Sequence, residues 1–251
     1  MIALTRHIGD LSRCELTYRQ REPIDNDRAR RQHAAYAHLL GELGAHVVSL
    51  PAEPALPDAV FVEDACIVLD ECAILPHMGA PSRRPERDSL AIALRAYRRV
   101  VWLEPPGTLD GGDVLRLGRR LYVGLSTRTD AAGIAALRRH VEPLGYSIHP
   151  VPVQHCLHLK SACTAIGPES LLVNPDWVDV ALFPGLEALA IAPAEPDAAN
   201  VLRVGNTVVA SARYPRTVER LVARGLAVRT VDNSEILKAE GGLTCTSVIF
   251  E

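Results

Sequence analysis

One thiol and one imidazole could together carry out covalent chemistry. Cys245 lies in EGGLTCTSVIF, where Gly241 and Gly242 allow a tight loop and the thiol precedes an apolar strand. His158 lies in HCLHLKSAC and could act as the acid–base partner of a thiol. For each residue taken alone, a buried cysteine or a structural histidine is the default interpretation, since the chain has six cysteines and nine histidines.

Acidic residues gather in two short segments. Asp58, Glu63 and Asp64 lie in LPDAVFVEDACIV beside a strongly apolar strand, and Asp110 and Asp113 lie in PGTLDGGDVL. A D-G-G turn by itself explains the second segment. Acids beside an apolar strand are costly to bury without cationic partners. A cationic ligand would supply such a partner for the first segment.

The composition limits the class of protein. The chain has 251 residues, 48% of them hydrophobic and 23% charged, which is enough for one large domain or two small ones. A formal net charge of −3 does not favour nucleic acid or a membrane surface as partner. No apolar stretch approaches the roughly 20 residues that span a bilayer. MIALTRHIGD also lacks a signal-peptide core, so we expect a soluble cytoplasmic protein.

In that compartment the cysteines are expected to be reduced thiols. No C-x-x-C pair occurs, so the sequence gives no sign of a structural zinc site. His155, Cys156 and His158 are close in sequence, but neighbouring strand positions point to opposite faces, which argues against a joint metal site. Cys14 lies in a polar N-terminal loop and receives no role. The remaining cysteines, Cys245 apart, lie in apolar runs typical of a core.

These residues must be positioned by a regular succession of elements. Amphipathic segments with suitable flanking residues predict helices at 25–43, 85–99, 129–144 and 214–224. Paired short strands with polar turns predict hairpins at 66–75, 113–123, 164–173 and 200–210. After each hairpin comes a helical or irregular stretch and then one more apolar strand: RVVWL, YSIHPV, ALAIA and LAVRTV.

The strand–strand–helix–strand unit occurs four times, and the chain ends supply a fifth. TSVIF (246–250), MIALT, the helix 25–43 and AHVVSL form that unit, so the termini would close a ring, as in a propeller. The predicted fold class is α/β, a five-bladed α/β propeller around a central active-site channel, in a single catalytic domain over 1–251. An ordinary α/β sandwich also fits the alternation.

One polar residue stands just before the first strand of each unit. These residues follow one another about 45 residues apart, which is one repeat of the pattern: Asp64, Asp110, His158, Asn200 and Cys245. In a closed ring they would converge on one pocket. Two carboxylates, a histidine and a thiol would then face one another.

Seven segments occur in a recognisable order: LPDAVFVED, APSRR, TLDGGDV, STRT, LHLKS, DAAN and GGLTC. Together they resemble the dimethylarginine dimethylaminohydrolase family, and the resemblance covers nearly the whole chain. That family belongs to the guanidino-group-modifying (pentein) superfamily, whose five-bladed α/β propeller agrees with the repeat described above.

The resemblance implies catalytic roles for three residues. Cys245 would be the nucleophile, and His158 would be the general acid and base. Asp110 would hold the guanidinium and orient His158, although some relatives have glutamate there. Asp64 would bind guanidinium N–H groups, and Glu63 would border the substrate.

The resemblance also implies a site for the amino-acid end of a substrate. Arg83 and Arg128 would bind the α-carboxylate, and Asp58 would position these arginines. Main-chain carbonyls of Leu16 and Ala239 would receive the α-ammonium. The Leu16 region, which would form a lid, is the poorest match to the family.

The implied reaction is hydrolysis of asymmetric dimethylarginine or monomethylarginine to citrulline and a methylamine, through an S-alkylthiouronium on Cys245. It needs no metal or organic cofactor, although a metal trapped by Cys245 and His158 would inhibit. Deiminase relatives have aspartate two residues after the histidine, where this chain has Lys160, so a lysine that points away from the substrate favours methylated arginine.

Three other interpretations stay open. Arginine deiminase is the alternative on the same scaffold, and a transamidinating relative is disfavoured because such chains are longer. A non-catalytic sensor of arginine derivatives would not need the set Cys245, His158 and Asp110. A small-molecule substrate is the expected partner, and the chain could also form a homodimer.

Overall fold

Every strand of the protein belongs to one of five three-stranded sheets. In the computed structural model, which describes residues 1–251, the middle strand of each sheet pairs antiparallel with one neighbour and parallel with the other. In spatial order the sheets are β15 (Ser247–Phe250), β1 (Ile2–Arg6) and β2 (His46–Leu50); β3 (Ile67–Val68), β4 (Cys72–Leu75) and β5 (Arg99–Trp102); β6 (Val114–Leu117), β7 (Arg120–Leu125) and β8 (Ser147–Pro152); β9 (Cys163–Gly167), β10 (Ser170–Val173) and β11 (Glu187–Ala190); and β12 (Leu202–Val204), β13 (Thr207–Ser211) and β14 (Ala227–Val231).

Helices provide the long connections that parallel strand pairs require. Four of them run from the middle strand to the outer strand of a sheet: α1 (Asn26–Glu42), α2 (Glu86–Leu94), α3 (Ala131–Val141) and α5 (Pro215–Ala223). In the sheet of β9 to β11 a single 3₁₀ turn, Val180–Leu182, replaces the helix. Two short helices, α4 (Leu159–Ala162) and α6 (Ser234–Lys238), complete the set. None of the helices is long and apolar enough to cross a membrane.

Apolar clusters between neighbouring sheets close these units into a ring. Five of the six clusters draw side chains from two consecutive sheets and from a helix packed against them. The five joints are represented by Leu4 with Leu75, Ile74 with Leu121, Leu115 with Leu171, Leu172 with Val208, and Val209 with Ala3. The last joint brings the final full unit against the N-terminal strand, so the chain closes on itself. The predicted five-bladed α/β propeller is confirmed.

The structure differs from the sequence expectations in three local places. Helix α2 ends at Leu94 rather than at 99, because the chain must turn before β5 begins at Arg99. Residues 155–158 form a loop in which His155 has a φ of 62°, so the strand assumed there was wrong. The short helices α4 and α6 were not predicted, since four or five residues give too few turns to show a period.

Candidate active site

The five polar residues that precede the first strands come together at one end of the ring. All five are buried, with Asp110 completely inaccessible and Cys245 7% exposed. Each is held by a short turn before its strand: Cys245 by the 3₁₀ turn Thr244–Thr246, and His158 as the residue before α4. We call Asp64, Asp110, His158 and Cys245 the acidic centre.

His158 lies between two carboxylates. Its Nε2 is 3.1 Å from Oδ2 of Asp110, and its Nδ1 is 3.6 Å from Oδ1 of Asp64. Burial lowers the pKa of His158, but the charge of Asp64 and the hydrogen bond with Asp110 outweigh it and raise the pKa to about 9. The imidazole is therefore a cation at neutral pH and can donate a proton.

Asp113, which sequence reasoning assigned only to a turn, is a buried support of the histidine. Its Oδ1 accepts a 2.8 Å hydrogen bond from the backbone N–H of Leu159, the residue after His158. Its Oδ2 accepts from the hydroxyls of Ser126 and Thr129 at 2.6 and 2.7 Å. These three donors satisfy the buried carboxylate of Asp113. Through the bond to Leu159, Asp113 holds the turn that contains His158.

Hydrogen bonds hold the thiol of Cys245 and the residues on either side of it. Its Sγ accepts a hydrogen bond from the N–H of Gly242 at 3.3 Å. Behind it, the hydroxyl of Tyr36 donates to the carbonyl of Leu243 at 3.0 Å and lies 2.7 Å from Oγ of Ser247. Burial, and after it the charges of Asp64 and Glu63, raise the pKa of Cys245. The group is therefore a thiol while no ligand is bound.

Arg83 is engaged by the protein itself. Its Nη1 donates to Oδ2 of Asp64 at 2.8 Å, and its Nε and Nη2 form a two-pronged contact with Glu86 at 3.0 and 2.9 Å. Burial raises the pKa of Glu86 to about 7, against the lowering effect of Arg83. The pair of Glu86 and Arg83 was not foreseen, because nothing in PSRRPER distinguishes a buried glutamate from one in a solvated helix.

Arg128 and Asp64 each keep one buried polar atom without a hydrogen bond. Nη2 of Arg128 donates to Oγ1 of Thr17 at 3.2 Å, but Nη1 has no hydrogen-bond partner and lies 3.7 Å from Oδ2 of Asp110. On Asp64, Oδ1 likewise has none. A spare donor and a spare acceptor thus face the same centre, where buried polar atoms are normally paired.

The segment around Leu16 closes over the site through backbone bonds. The N–H of Glu15 donates to Asp58 at 3.0 Å, and the N–H groups of Thr17 and Tyr18 donate to Glu240 at 2.9 and 2.6 Å. Asp58 therefore holds this lid with its carboxylate, while its carbonyl oxygen accepts from Arg83 at 3.3 Å.

Ala239 is buried just before Glu240, whose positive φ of 58° turns its carboxylate toward the lid. Leu16 lies between Glu15, which is bonded to Asp58, and Thr17, which is bonded to Glu240, and its side chain packs against the apolar cluster that contains Ala239. The predicted residues Leu16 and Ala239 are therefore brought to the same edge. The part played by Glu240 carried no signal in the sequence, because the contact joins residues more than 200 positions apart.

Glu63 and Lys160 form an ion pair beneath the acidic centre. Nζ of Lys160 is 2.6 Å from Oε1 of Glu63, whose Oε2 accepts from the hydroxyl of Thr244 at 2.6 Å. These three residues also line a cavity of about 240 Å³ among the first strands of the sheets. The ammonium of Lys160 is therefore paired with the carboxylate of Glu63. No group of three or more histidine, cysteine or acidic side chains is arranged to hold a metal ion.

Comparison with known proteins identifies the relatives of this chain. Residues 13–181 match the family model for eukaryotic N,N-dimethylarginine dimethylhydrolase. The chain is 40% identical to the N(G),N(G)-dimethylarginine dimethylaminohydrolase of Streptomyces coelicolor, over 93% of this chain and 90% of that protein.

Two solved structures superpose on nearly the whole chain. One is the Pseudomonas aeruginosa dimethylarginine dimethylaminohydrolase, a cysteine-to-serine mutant complexed with citrulline, with a TM-score of 0.92 and 31% identity over 99% of this chain and 98% of that one. The other is a histidine-to-glycine form of a dimethylarginine dimethylaminohydrolase as an adduct with S-methyl-L-thiocitrulline, with a TM-score of 0.94 and 32% identity over the same shares of the two chains.

Proposed function

This chain belongs to the dimethylarginine dimethylaminohydrolase family, and from that premise we propose that it hydrolyses Nω-methylated arginines to citrulline and a methylamine. It is a hydrolase that acts on a guanidino group. The finer proposal names asymmetric dimethylarginine and monomethylarginine as substrates, and Cys245 as the covalent nucleophile.

The unpaired atoms of Asp64 and Arg128 carry this proposal. A methylated arginine has a cationic guanidinium at one end and a carboxylate at the other. Oδ1 of Asp64 is a buried acceptor that suits guanidinium N–H, and Nη1 of Arg128 is a buried donor that suits the carboxylate. A ligand with both charges satisfies both atoms at once through charge-assisted hydrogen bonds, which are stronger than those of a neutral ligand.

Substrate binding activates the nucleophile. The guanidinium donates hydrogen bonds to Asp64 and Asp110 beside the ring of His158, which fixes its carbon against Sγ of Cys245. Its positive charge favours thiolate over thiol, and the N–H of Gly242 stabilises the thiolate as it forms. The thiol proton goes to solvent, the sulfur attacks the guanidinium carbon, and a tetrahedral adduct results.

His158 then acts first as an acid and second as a base. As the imidazolium held by Asp110 and Asp64, it gives its proton to the methylated nitrogen, and the C–N bond breaks to release the amine. The adduct becomes an S-alkylthiouronium on Cys245. Neutral His158 takes one proton from a water that attacks the same carbon. The C–S bond of this second adduct then breaks to release the thiolate, and the remaining hydroxyl proton goes to solvent, which gives citrulline.

The position of Lys160 supports a methylated substrate over plain arginine. Its ammonium is bonded to one oxygen of Glu63, and the other oxygen accepts from Thr244, so both carboxylate oxygens beneath the acidic centre are already engaged. An N–H buried there would lose its hydrogen bond to water without a replacement, whereas a methyl group would lose none. Substitution on one nitrogen should therefore improve the fit.

Product analysis with three substrates tests the proposal. Purified protein is incubated separately with asymmetric dimethylarginine, monomethylarginine and arginine, and citrulline is quantified together with dimethylamine, methylamine and ammonia. We expect citrulline and dimethylamine in equal amounts, with arginine the slowest substrate. Faster ammonia release from arginine would assign the chain to the arginine deiminases, and ligand binding without any citrulline would favour a sensor.

Acid quenching during turnover tests the covalent step. Mass spectrometry of the digested protein should find the adduct on the peptide that contains Cys245. An adduct on another cysteine would overturn the assignment of the nucleophile, and Cys163, which is buried in an apolar cluster, serves as the internal reference.

A further inference from the structure

Asn200 is the one member of the five-residue ring that the proposed mechanism does not use. It precedes β12 in the same way that the other four precede their first strands, and it is 9% exposed. Its side-chain amide makes three hydrogen bonds, all to the segments that carry the nucleophile and the acid–base histidine.

Two of these bonds fix the residue before the nucleophile. Oδ1 of Asn200 accepts from the backbone N–H of Thr244 at 3.0 Å, and Nδ2 donates to Oγ1 of Thr244 at 3.1 Å. The same Thr244 hydroxyl donates to Glu63 at 2.6 Å. The amide therefore hydrogen-bonds both the backbone and the side chain of Thr244, the residue that immediately precedes Cys245.

The third bond reaches the turn of the histidine. Nδ2 of Asn200 donates to the carbonyl oxygen of Lys160 at 2.9 Å, two residues after His158 and within α4. One planar amide thus bridges the turn of Cys245 and the turn of His158. The two N–H groups of Nδ2 are fixed in the amide plane, so their bonds to Thr244 and Lys160 set the spacing of the two segments.

Gly242 shows how closely this amide is packed. A Cβ atom added at Gly242 would lie 2.3 Å from Cγ of Asn200 and 2.4 Å from its Oδ1, which are distances that real Cβ atoms do not adopt. The N–H of Gly242 also donates to Sγ of Cys245. The glycine therefore lets the nucleophile loop approach the amide of Asn200 directly.

We propose that Asn200 is a positioning residue that fixes the sulfur of Cys245 relative to the ring of His158. The proposal rests on the proposed function, in which both groups act on the same carbon. A single imidazole must reach first the leaving nitrogen and then the attacking water, so a small displacement of one turn impairs both steps. Substrate binding depends on other residues and should change little.

The decisive variant is Asn200→Ala, compared with Asn174→Ala. Asn174 is also buried, and its amide also donates to a carbonyl, that of Pro196, and accepts a backbone N–H, that of Asp176. We expect Asn200→Ala to lower kcat about 100-fold with KM changed less than about threefold, since a misplacement near 1 Å costs this much. Asn174→Ala should leave kcat within about threefold of the wild type, because its amide bonds neither the turn of Cys245 nor that of His158.

Glycine variants approach the same contact from the other side. Gly242→Ala should lower kcat like Asn200→Ala, because its methyl group displaces the amide. Gly41→Ala, in α1 with open space around it, is the matched control. In the Asn200→Ala background, Gly242→Ala should cost almost nothing more, because the obstructing amide is gone. Additive losses in kcat would overturn the proposal.

Amide hydrogen exchange tests the clamp, by which we mean the hydrogen bonds of the Asn200 amide to Thr244 and Lys160, without requiring turnover. The N–H of Thr244 should be protected in the wild type and should exchange faster in Asn200→Ala and in Asn200→Ser. Unchanged protection of the Thr244 N–H would overturn the hydrogen bonding of Asn200 to this turn. Lost protection with unchanged kcat would overturn the positioning role of Asn200. If the wild type releases no citrulline while the exchange result holds, the proposed function fails and the clamp stands. If Asn200→Ala does not fold, Asn200→Ser and Gly242→Ala carry the test.

Discussion

Two buried histidines show how differently the same side chain behaves in two regions of this protein. His158 belongs to the acidic centre and is 3% exposed, while His33 lies on the buried face of α1 and is 4% exposed. We call that face, formed by Gln32, His33, Tyr36, Leu39 and Leu40, the α1 layer. Burial lowers the pKa of His33 to about 4, whereas carboxylates raise that of His158 to about 9 in spite of burial.

The difference teaches that burial by itself does not create reactivity here. Both regions exclude water equally well, and burial is the largest factor acting on each imidazole. What distinguishes the acidic centre is the pair of carboxylates, Asp64 and Asp110, which the ring brings to either side of His158. No carboxylate acts on His33: besides burial, a hydrogen bond with the backbone of Thr246 raises its pKa and the charge of His7 lowers it. Variants in the two regions should therefore affect different quantities.

The largest difference in turnover is expected between variants of two buried cysteines. Cys245→Ser should lower kcat on the order of 10⁴-fold or more, because the covalent path is lost. Cys163→Ala, in an apolar cluster, should retain kcat and lower the free energy of unfolding by roughly 1 kcal/mol. Turnover assays and urea unfolding of both variants measure this. Comparable losses of turnover would mean that Cys245 acts only through packing.

The two histidines give the next contrast. His158→Asn should lower kcat by about 10²- to 10⁴-fold, because the same group protonates the amine and then activates water. His33→Asn should leave kcat near the wild-type value and affect stability, since His33 hydrogen-bonds only the backbone of Thr246 near the site and takes no part in proton transfer. Single-turnover measurements on both variants decide the matter, and a large loss of kcat in His33→Asn would end the distinction between the two regions.

Substitution of two buried arginines is expected to have a smaller effect, on KM rather than on kcat. Arg128→Lys should raise KM for methylated arginine about 10- to 100-fold, which corresponds to about 1.4–2.8 kcal/mol, because lysine lacks the planar fork that a carboxylate contacts. KM for agmatine-like substrates, which have no carboxylate, should barely change. Arg6→Lys is the control, since Arg6 is equally buried and pairs with Glu53 away from the centre. Equal losses with both substrate types would contradict the role of Arg128.

The smallest effect is a dependence of stability on pH that has opposite signs in the two regions. The folded-state pKa of His158 lies above its unfolded value of about 6.5, so its contribution is full below pH 6.5 and is lost as the pH rises through 9. The folded-state pKa of His33 lies below that value. Its contribution is full above pH 6.5 and is lost as the pH falls through 4.

Urea unfolding at pH 5, 6.5 and 8.5 measures this difference for wild type, His158→Asn and His33→Asn. The gap between wild type and His158→Asn should narrow toward pH 8.5, and the gap between wild type and His33→Asn should narrow toward pH 5. Each slope is at most about 1.4 kcal/mol per pH unit. Gaps that do not change with pH would contradict the two pKa directions.

The fold could be predicted far into its detail because its signals are local and repeated. The hairpin of residues 113–123 has apolar strands and a polar turn, and it forms β6 and β7 at those positions. The crossover helix α1 begins after Asp25, whose carboxylate accepts from the N–H of Arg28 as a cap should. The bounds of α2 could not be predicted as well, because its end is set by where β5 must start.

The site was predictable in its members and less so in its contacts. Asp64, Asp110, His158, Asn200 and Cys245 follow from a repeat that the sequence contains, and the structure brings them together. The partners that support them did not follow. In the sequence Asp113 resembles any residue of a turn, although it supports the residue after His158. The hydrogen bonds of Asn200 to Thr244 and Lys160 join residues that precede three different sheets, so no local pattern predicts them.

The sequence by itself determined the order of strands and helices, the closure of the ring by the two termini, and the five positions that face its centre. Periodicity and turn chemistry act over a few residues, so they can be read along the chain. Only the tertiary structure decided which atoms pair: His158 with Asp110 and Asp64, and Lys160 with Glu63. Coulombic and hydrogen-bonding energies depend on distances of a few ångströms between residues about 45 or more positions apart, and only the packed ring fixes those distances.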